Sequence, residues 1–184
     1  MAELEQALHS HRLTYSLDDL YDRLPRLREA PHRITSEPDD EYNCVGWVQR
    51  ELDRYYAPGL FWPREIVPEP EAGDEDLDAF VAIFESWGYE RCGSSDYEPG
   101  FLKIAIYARD GKFHHVAKQL RTNAWSSKVG EAHDLRHETL DALEDAPVFF
   151  DRAYATVFMR KVDDGLDQFE IEERGYLLPG YLRP

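Results

Sequence analysis

The hydrophobic period of the chain changes near Phe101, and this change limits the folds that the sequence can adopt. Before it, apolar residues recur every three or four positions in segments 42–56 and 75–88, which is typical of amphipathic helices. After it come three short β-prone runs, FLKIAIYA, FHHVAKQL and AWSSKV, separated by the turn signals RDG and RTN. A further strand is predicted at 154–161. Helices followed by an antiparallel meander predict an α+β domain.

The segment 42–56, YNCVGWVQRELDRYY, places one of only two cysteines at the predicted first turn of a helix. Asn43 is a suitable N-cap, because its short side chain accepts a backbone N–H that lacks a partner at the helix start. Cys44 would lie in the positive field of the helix dipole, which favours the nucleophilic thiolate. The same position also suits an inert core thiol. The helical period puts five side chains on one buried face: Cys44, Trp47, Val48, Leu52 and Tyr55.

Composition limits the classes of partner and location. The 184 residues carry 37 acidic and 21 basic side chains, a formal net charge of -16, so a nucleic acid partner is not expected. No run approaches the roughly 20 apolar residues of a membrane helix. The N-terminus has no secretory signal, so cytoplasmic synthesis is the default expectation, with specialised secretion left open. Cys44 and Cys92 are then expected to be free thiols.

No sequence motif indicates a nucleotide, flavin or haem cofactor. His133 and His137 lie four residues apart and could share a helical face, but no third ligand stands at a recognisable spacing, so no metal site is predicted. His137 is expected to have a structural or supporting role. A short helix is predicted around 135–143.

The chain divides into three parts by composition. Residues 1–32 read as a helical N-terminal extension, residues 33–161 as the main domain, and residues 162–184 as a C-terminal tail. After the cysteine helix, the aromatic pair Phe61 and Trp62 is expected to fold onto the core, with lining of a substrate groove as the alternative.

A nucleophilic cysteine needs a base, and the base needs a group that orients it. In FHHVAKQL, strand alternation places Phe113, His115, Ala117 and Gln119 on one face, and His114 on the other, outside the site. The next strand would run beside it and bring Ser126 or Ser127 next to His115. Asp134, Glu131 and His137 are further candidates for the orienting group.

These motifs resemble a family of uncharacterised bacterial proteins. The resemblance rests on an Asn-Cys-x-x-Trp helix start at 43–47, a His-x-Ala-x-Gln-Leu strand at 115–120 and a Trp-x-Ser-Lys-x-Gly segment at 125–130. That family is in turn similar to the NlpC-type branch of papain-like cysteine peptidases and amidases. The resemblance implies a papain-like fold, in which a cysteine-bearing central helix packs on an antiparallel sheet.

The resemblance also implies a catalytic trio of Cys44, His115 and Ser127, where Ser127 departs from the His, Asn or Gln usual in the peptidase branch. Asn43 would assist the oxyanion, and Trp47 and Trp125 would wall the cleft. The expected activity is a cysteine hydrolase acting by acyl transfer on a peptide, amide or protein substrate. The acidic run before the cysteine would favour a basic one. Two alternatives stand beside it: a catalytically silent module that binds a partner protein, and an acyltransferase or transglutaminase-like enzyme.

Overall fold

The described residues form an α+β fold, with seven antiparallel strands in a single sheet and short helices packed on it. The computed structural model describes residues 16–146, 152–163 and 165. The helices are α1 (Leu17–Arg23), α2 (Cys44–Gln49) and α3 (Leu77–Ser86), with a 3-10 helix at Leu140–Leu143. The strands are β1 (His32–Ile34), β2 (Glu90–Cys92), β3 (Phe101–Arg109), β4 (Lys112–Gln119), β5 (Trp125–Lys128), β6 (Asp134–His137) and β7 (Tyr154–Val162).

The sheet order is β1-β6-β5-β4-β3-β7-β2, and every neighbouring pair is antiparallel. The predicted α+β class and meander are therefore confirmed. The turn between β3 and β4 consists of Asp110 and Gly111, with φ angles of 51° and 76°. Two consecutive positive φ angles are those of the primed hairpin turn, which matches the twist of the strands. Within the described residues, no helix is long and apolar enough to cross a membrane.

A hydrophobic core lies on each side of the sheet, because side chains alternate along β3. Ala105 and Tyr107 pack with Leu20 of α1 in one core. Ile104 and Ile106 pack with Phe80 of α3 in the other. The described part of the predicted N-terminal extension thus packs on the same sheet as the rest of the chain. Residues 1–15 and most of the predicted tail, from 166 onwards, lie outside the described residues.

The predicted helix over 42–56 is wrong in its second half. Helix α2 ends at Gln49, and Arg50 takes a left-handed conformation with φ of 66°. The N–H of Glu51 then donates to the carbonyl of Gly46, which turns the chain back toward the helix start. Leu52 and Tyr55 therefore do not continue the helical face of Cys44 and Trp47.

The predicted helix around 135–143 is also only partly present. Residues Asp134–His137 form β6, which pairs with β1 on one side and β5 on the other. The helical part is confined to the 3-10 turn at Leu140–Leu143. Pairing with β1, a strand far away in sequence, outweighs the local preference of this short segment.

One edge of β4 is covered by three different elements in succession. At its beginning, the N–H of Phe113 donates to the carbonyl of Glu75, and the N–H of Leu77 donates to Gly111. At its end, Lys118 and Gln119 pair with β5. Between these two contacts, β4 faces the start of α2 and the open space beside it, and this gap is where the candidate site lies.

Gly46 lets the chain return close to the start of α2. A Cβ at this position would lie 2.6 Å from the carbonyl oxygen of Arg54 and 2.7 Å from that of Glu51. We expect Gly46→Ala to lower the free energy of unfolding by about 1–3 kcal/mol, because backbone atoms must move to accept the methyl group. Urea denaturation measures the change.

The matched control is Gly93→Ala, since a Cβ there meets nothing within 4 Å. Its effect should stay within about 0.5 kcal/mol. Equal losses in both variants would show that the close return of the chain does not constrain residue 46.

Candidate functional site

The side chain of Asn43 fixes the position of Cys44. Its Oδ1 accepts the N–H of Gly46 at 3.2 Å, which caps α2, and also the N–H of Tyr56 at 3.3 Å. Its Nδ2 donates to the carbonyl of Tyr56 at 2.7 Å. Asn43 is therefore the N-cap that the sequence predicts, and it also ties the returning chain to the helix start. Cys44 is the first residue of α2, with 6% of its surface exposed.

His115 lies on β4 next to an irregularity of the sheet. Tyr107 pairs with His115 but Ala108 pairs with Phe113, so His114 is an extra residue in β4. Such a bulge breaks strict alternation. Phe113 consequently packs in the core that contains Cys44, whereas His115 lies beside the ring of Tyr107, with ring centroids 5.3 Å apart. The prediction that Phe113 and His115 share one face is wrong for this reason.

A chain of hydrogen bonds links three side chains from three adjacent strands. The Nε2 of His115 lies 3.0 Å from the Oγ of Ser127, and that oxygen lies 2.9 Å from the Nε2 of His137. The Nδ1 of His137 lies 2.7 Å from the carbonyl oxygen of Thr139. All three side chains are buried. Ser127 therefore lies where an orienting group for His115 was predicted, and His137 contacts Ser127 on the side away from His115.

Cys44 and His115 line the same pocket, which has a volume of about 440 Å³. It opens at the gap beside β4. Its other lining residues are Asn43, Tyr55, Tyr56, Ala57, Glu75, Phe113, His114, Gly130 and Glu131. The charged side chains among them are the carboxylates of Glu75 and Glu131. His114 borders the pocket as well, so the prediction that this residue lies outside the site is wrong; the bulge at this position interrupts the alternation on which that prediction depended.

Burial keeps the Cys44 thiol and the His115 imidazole uncharged. It raises the pKa of the Cys44 thiol to about 12, an effect that the backbone N–H of Val116 opposes and the charge of Glu75 reinforces. Burial, aided by His137, lowers the pKa of His115 to about 3. The sequence indicates that the helix dipole favours a thiolate at Cys44. In the structure, burial is the largest influence on the pKa of Cys44 and raises it, so the thiol is favoured.

A family model described as "Domain of unknown function (DUF7689)" matches residues 33–160. The chain belongs to this family. The matched region includes Cys44, His115, Ser127 and His137, and it runs from β1 into β7. Neither the curated proteins nor the solved structures gave a match.

The two tryptophans predicted to wall the cleft of this DUF7689 domain lie elsewhere. The Nε1 of Trp47 donates to the Oγ of Ser126 at 3.0 Å, and its ring stacks on Tyr42. Trp125 lines a separate pocket of about 430 Å³ near the 3-10 helix. The large aromatic residues that line the pocket around Cys44 are Tyr55, Tyr56 and Phe113 instead. No local sequence pattern predicts that the two tyrosines line this pocket, because they reach it through the turn at Arg50, which returns the chain toward the start of α2.

A second buried polar cluster anchors the loop before Cys44. The Nζ of Lys128 donates to the carbonyls of Asp39 and Ala132, both at 2.6 Å. The hydroxyl of Tyr42 donates to Asp134 at 2.8 Å. Burial raises the pKa of Asp134 to about 6, although the charge of Lys128 opposes the shift. The acidic loop 37–41 is therefore bound to β5 through the backbone carbonyl of Asp39. This contact fixes the position of the segment that precedes α2.

The buried histidines make stability depend on pH. Burial lowers the pKa of His115 to about 3 and that of His137 to about 4, so each binds a proton only after unfolding at mildly acidic pH. Their contribution to stability is complete above the ordinary pKa of about 6.5 and is lost as the pH falls toward 4. Each buried histidine should lower the free energy of unfolding by about 1.4 kcal/mol for every pH unit below its ordinary pKa. Replacing one of them by glutamine should remove that contribution.

The measurement is urea unfolding of wild type and His115→Gln at pH 7, 6, 5 and 4. The difference between the two proteins is the informative quantity, because Asp134 takes up its proton in the same interval and has the opposite sign. Curves that run parallel across this interval would show that His115 is not held neutral by burial.

Proposed function

We propose that this protein is a cysteine hydrolase that acts by acyl transfer, with Cys44 as nucleophile and His115 as general base. One observation carries the proposal: Cys44 at a helix start and His115 on a strand line one pocket, and Ser127 holds the imidazole by a hydrogen bond. A nucleophile, a base and an orienting group in this order are the parts that such chemistry requires.

The arrangement also favours a papain-like architecture of the NlpC type. The helix that begins with Cys44 packs against an antiparallel sheet, the histidine lies on β4, and its polar neighbour lies on the adjacent strand β5. The side chains of His115 and Ser127 lie on the sheet face opposite the one that Trp47 of α2 contacts, so Cys44 and His115 share the pocket at the edge of β4. Ser127 and His137 together supply the polar support that a single His, Asn or Gln gives in the peptidase branch. The proposal of this architecture rests on these placements and on the sequence motifs.

The reaction would start from two neutral groups. His115 takes the thiol proton as the Cys44 sulfur attacks the carbonyl carbon, and the C=O electron pair moves to the oxygen. The backbone N–H of Cys44, in the first turn of α2, is a donor for this oxyanion. The side-chain amide of Asn43 gives one hydrogen to Tyr56, and its other hydrogen is the second donor in this scheme. Return of the proton from His115 expels the amine and leaves a thioester, which water then hydrolyses.

The pocket favours a substrate with a cationic group near the scissile bond. Its charged lining consists of Glu75 and Glu131, and the whole chain carries a net charge of -16. Burial raises the pKa of Glu75, and a cation placed beside it would lower that pKa again and favour the charged carboxylate. We therefore propose a basic peptide or amide as the substrate class.

A thiol-labelling experiment tests the proposal. In a Cys92→Ser background, Cys44 is the single thiol, and an electrophilic peptide ketone should alkylate it in the folded protein. His115→Gln should slow this labelling on the order of 100-fold or more, because general-base assistance is lost. Intact-protein mass spectrometry measures the rates.

The matched control is His114→Gln, which alters an imidazole in the same pocket one residue earlier. It should leave the labelling rate within a few-fold of the parent. If Cys44 reacts only after unfolding in urea, or reacts equally fast with and without His115, the proposed pair is wrong.

A catalytically silent binding module is the second candidate, and two observations favour it. The Cys44 thiol is buried with a raised pKa, and apolar side chains of the 57–67 loop stand in water, with Leu60 65% and Ile66 62% exposed. Trp62 is not part of this exposed surface: as expected from the sequence it folds onto the core, where it packs on Phe80 and donates its Nε1 to the carbonyl of Val67. An unreactive native Cys44 would support this candidate.

The third candidate, an acyltransferase, uses the same pair and differs only in the acceptor. Adding a primary amine to a labelled thioester distinguishes the two, since a hydrolase releases the free acid and a transferase releases the amide.

A further inference from the structure

We propose that His137, acting through Ser127, fixes the tautomer of His115 so that its proton lies on Nε2 and its basic lone pair lies on Nδ1. His137 would then be a positioning residue for the hydrolase, and this inference rests on the function proposed above. The contacts that carry it run from the carbonyl of Thr139 through three buried side chains to the pocket.

The direction of the hydrogen bonds is set at Thr139. A carbonyl oxygen can only accept, so the Nδ1 of His137, 2.7 Å away, must carry a proton and donate it. Burial lowers the pKa of His137 to about 4, so the ring has one proton at neutral pH. Its Nε2 is therefore an acceptor.

The remaining two bonds follow from the single proton of a hydroxyl group. Ser127 must donate that proton to the Nε2 of His137, 2.9 Å away. Its oxygen can then only accept from His115, whose Nε2 lies 3.0 Å away and must carry the ring proton. Because His115 is also neutral, its lone pair is at Nδ1. One backbone carbonyl thus determines which nitrogen of His115 is the base.

The ring of Tyr107 lies beside His115, but its hydroxyl donates to the carbonyl of Leu140 at 2.8 Å. Both Tyr107 and His137 are therefore anchored at the start of the same 3-10 helix. The oppositely directed chain would require the Thr139 carbonyl to face a bare ring nitrogen.

The tautomer matters because a histidine with its proton on the wrong nitrogen cannot accept one from the nucleophile. In catalytic triads, loss of the correct tautomer lowers turnover on the order of 10⁴-fold even when the geometry is kept. A buried serine alone cannot select a tautomer, since a hydroxyl both donates and accepts. The direction of the hydrogen bonds must therefore be set by His137.

The first experiment uses the wild-type protein with ¹⁵N-labelled histidine. Long-range ¹H–¹⁵N correlation spectra at pH 7 report which nitrogen of each ring carries the proton, and single replacements assign the seven histidines. We expect His115 protonated on Nε2 and His137 protonated on Nδ1. The opposite tautomer at His115, or a charged ring at either position, would overturn the inference.

The second experiment breaks the chain at its far end. In His137→Phe the aromatic ring remains but no nitrogen accepts from Ser127, so the hydroxyl is released to donate to His115. The His115 proton should then move to Nδ1, and Cys44 labelling should fall on the order of 100-fold or more. Ser126→Ala is the matched control, because it removes a hydrogen bond of 3.0 Å, close to the 2.9 Å of the Ser127–His137 bond, on the opposite face of β5. It should change neither quantity.

If His137→Phe does not fold, Ser127→Ala is the alternative test, because it removes a single oxygen atom and disturbs the packing less. A single unchanged Nε2–H tautomer of His115 in that variant would overturn the role of the chain. Failure of the proposed function has a different signature: the tautomers would be as expected and would respond to the variants, while Cys44 labelling would not depend on His115.

Discussion

The hydrogen bonds of the Asn43 side chain hold the start of α2 against residue 56, and the position of the candidate nucleophile depends on them. A helix of six residues is too short to be stable by itself, so its geometry must come from the surrounding structure. Asn43 supplies three of these constraints with one buried amide. The left-handed Arg50 and the close return of the backbone past Gly46 supply the others. Cys44 is thus positioned by contacts made several residues away.

Local signals allowed part of the fold to be predicted from the sequence. The hairpin at Asp110 and Gly111 and the helix α3 have turn, capping and periodic features within a few residues of each other. The early end of α2 and the strand β6 could not be predicted from local signals. Both depend on contacts with distant segments, the return past Gly46 in one case and the pairing with β1 in the other.

The candidate site shows the same division. Cys44, His115 and Ser127 could be predicted because a helix cap and the spacing of adjacent strands are local features. The bulge at His114 could not, since it is defined by the register with β3. His137 connects to Ser127 across ten residues and to the carbonyl of Thr139, and its sequence neighbours suggested a helix instead. Trp125 lines the other pocket, because the strand pattern does not specify which of two pockets a side chain reaches. Trp47 lines neither pocket, because its ring packs on Tyr42 and its Nε1 bonds Ser126.

The three-part covering of the β4 edge limits how a substrate can approach. Its first residues are bonded to the chain entering α3, its last two pair with β5, and the backbone N–H of Val116 lies beside the Cys44 sulfur. Many proteins that recognise extended peptides add them as an extra strand along a run of open backbone groups. Within the described residues this edge has no such run. For the hydrolase proposed above, a peptide would therefore reach Cys44 by its end or by a single side chain and not as a strand added along β4.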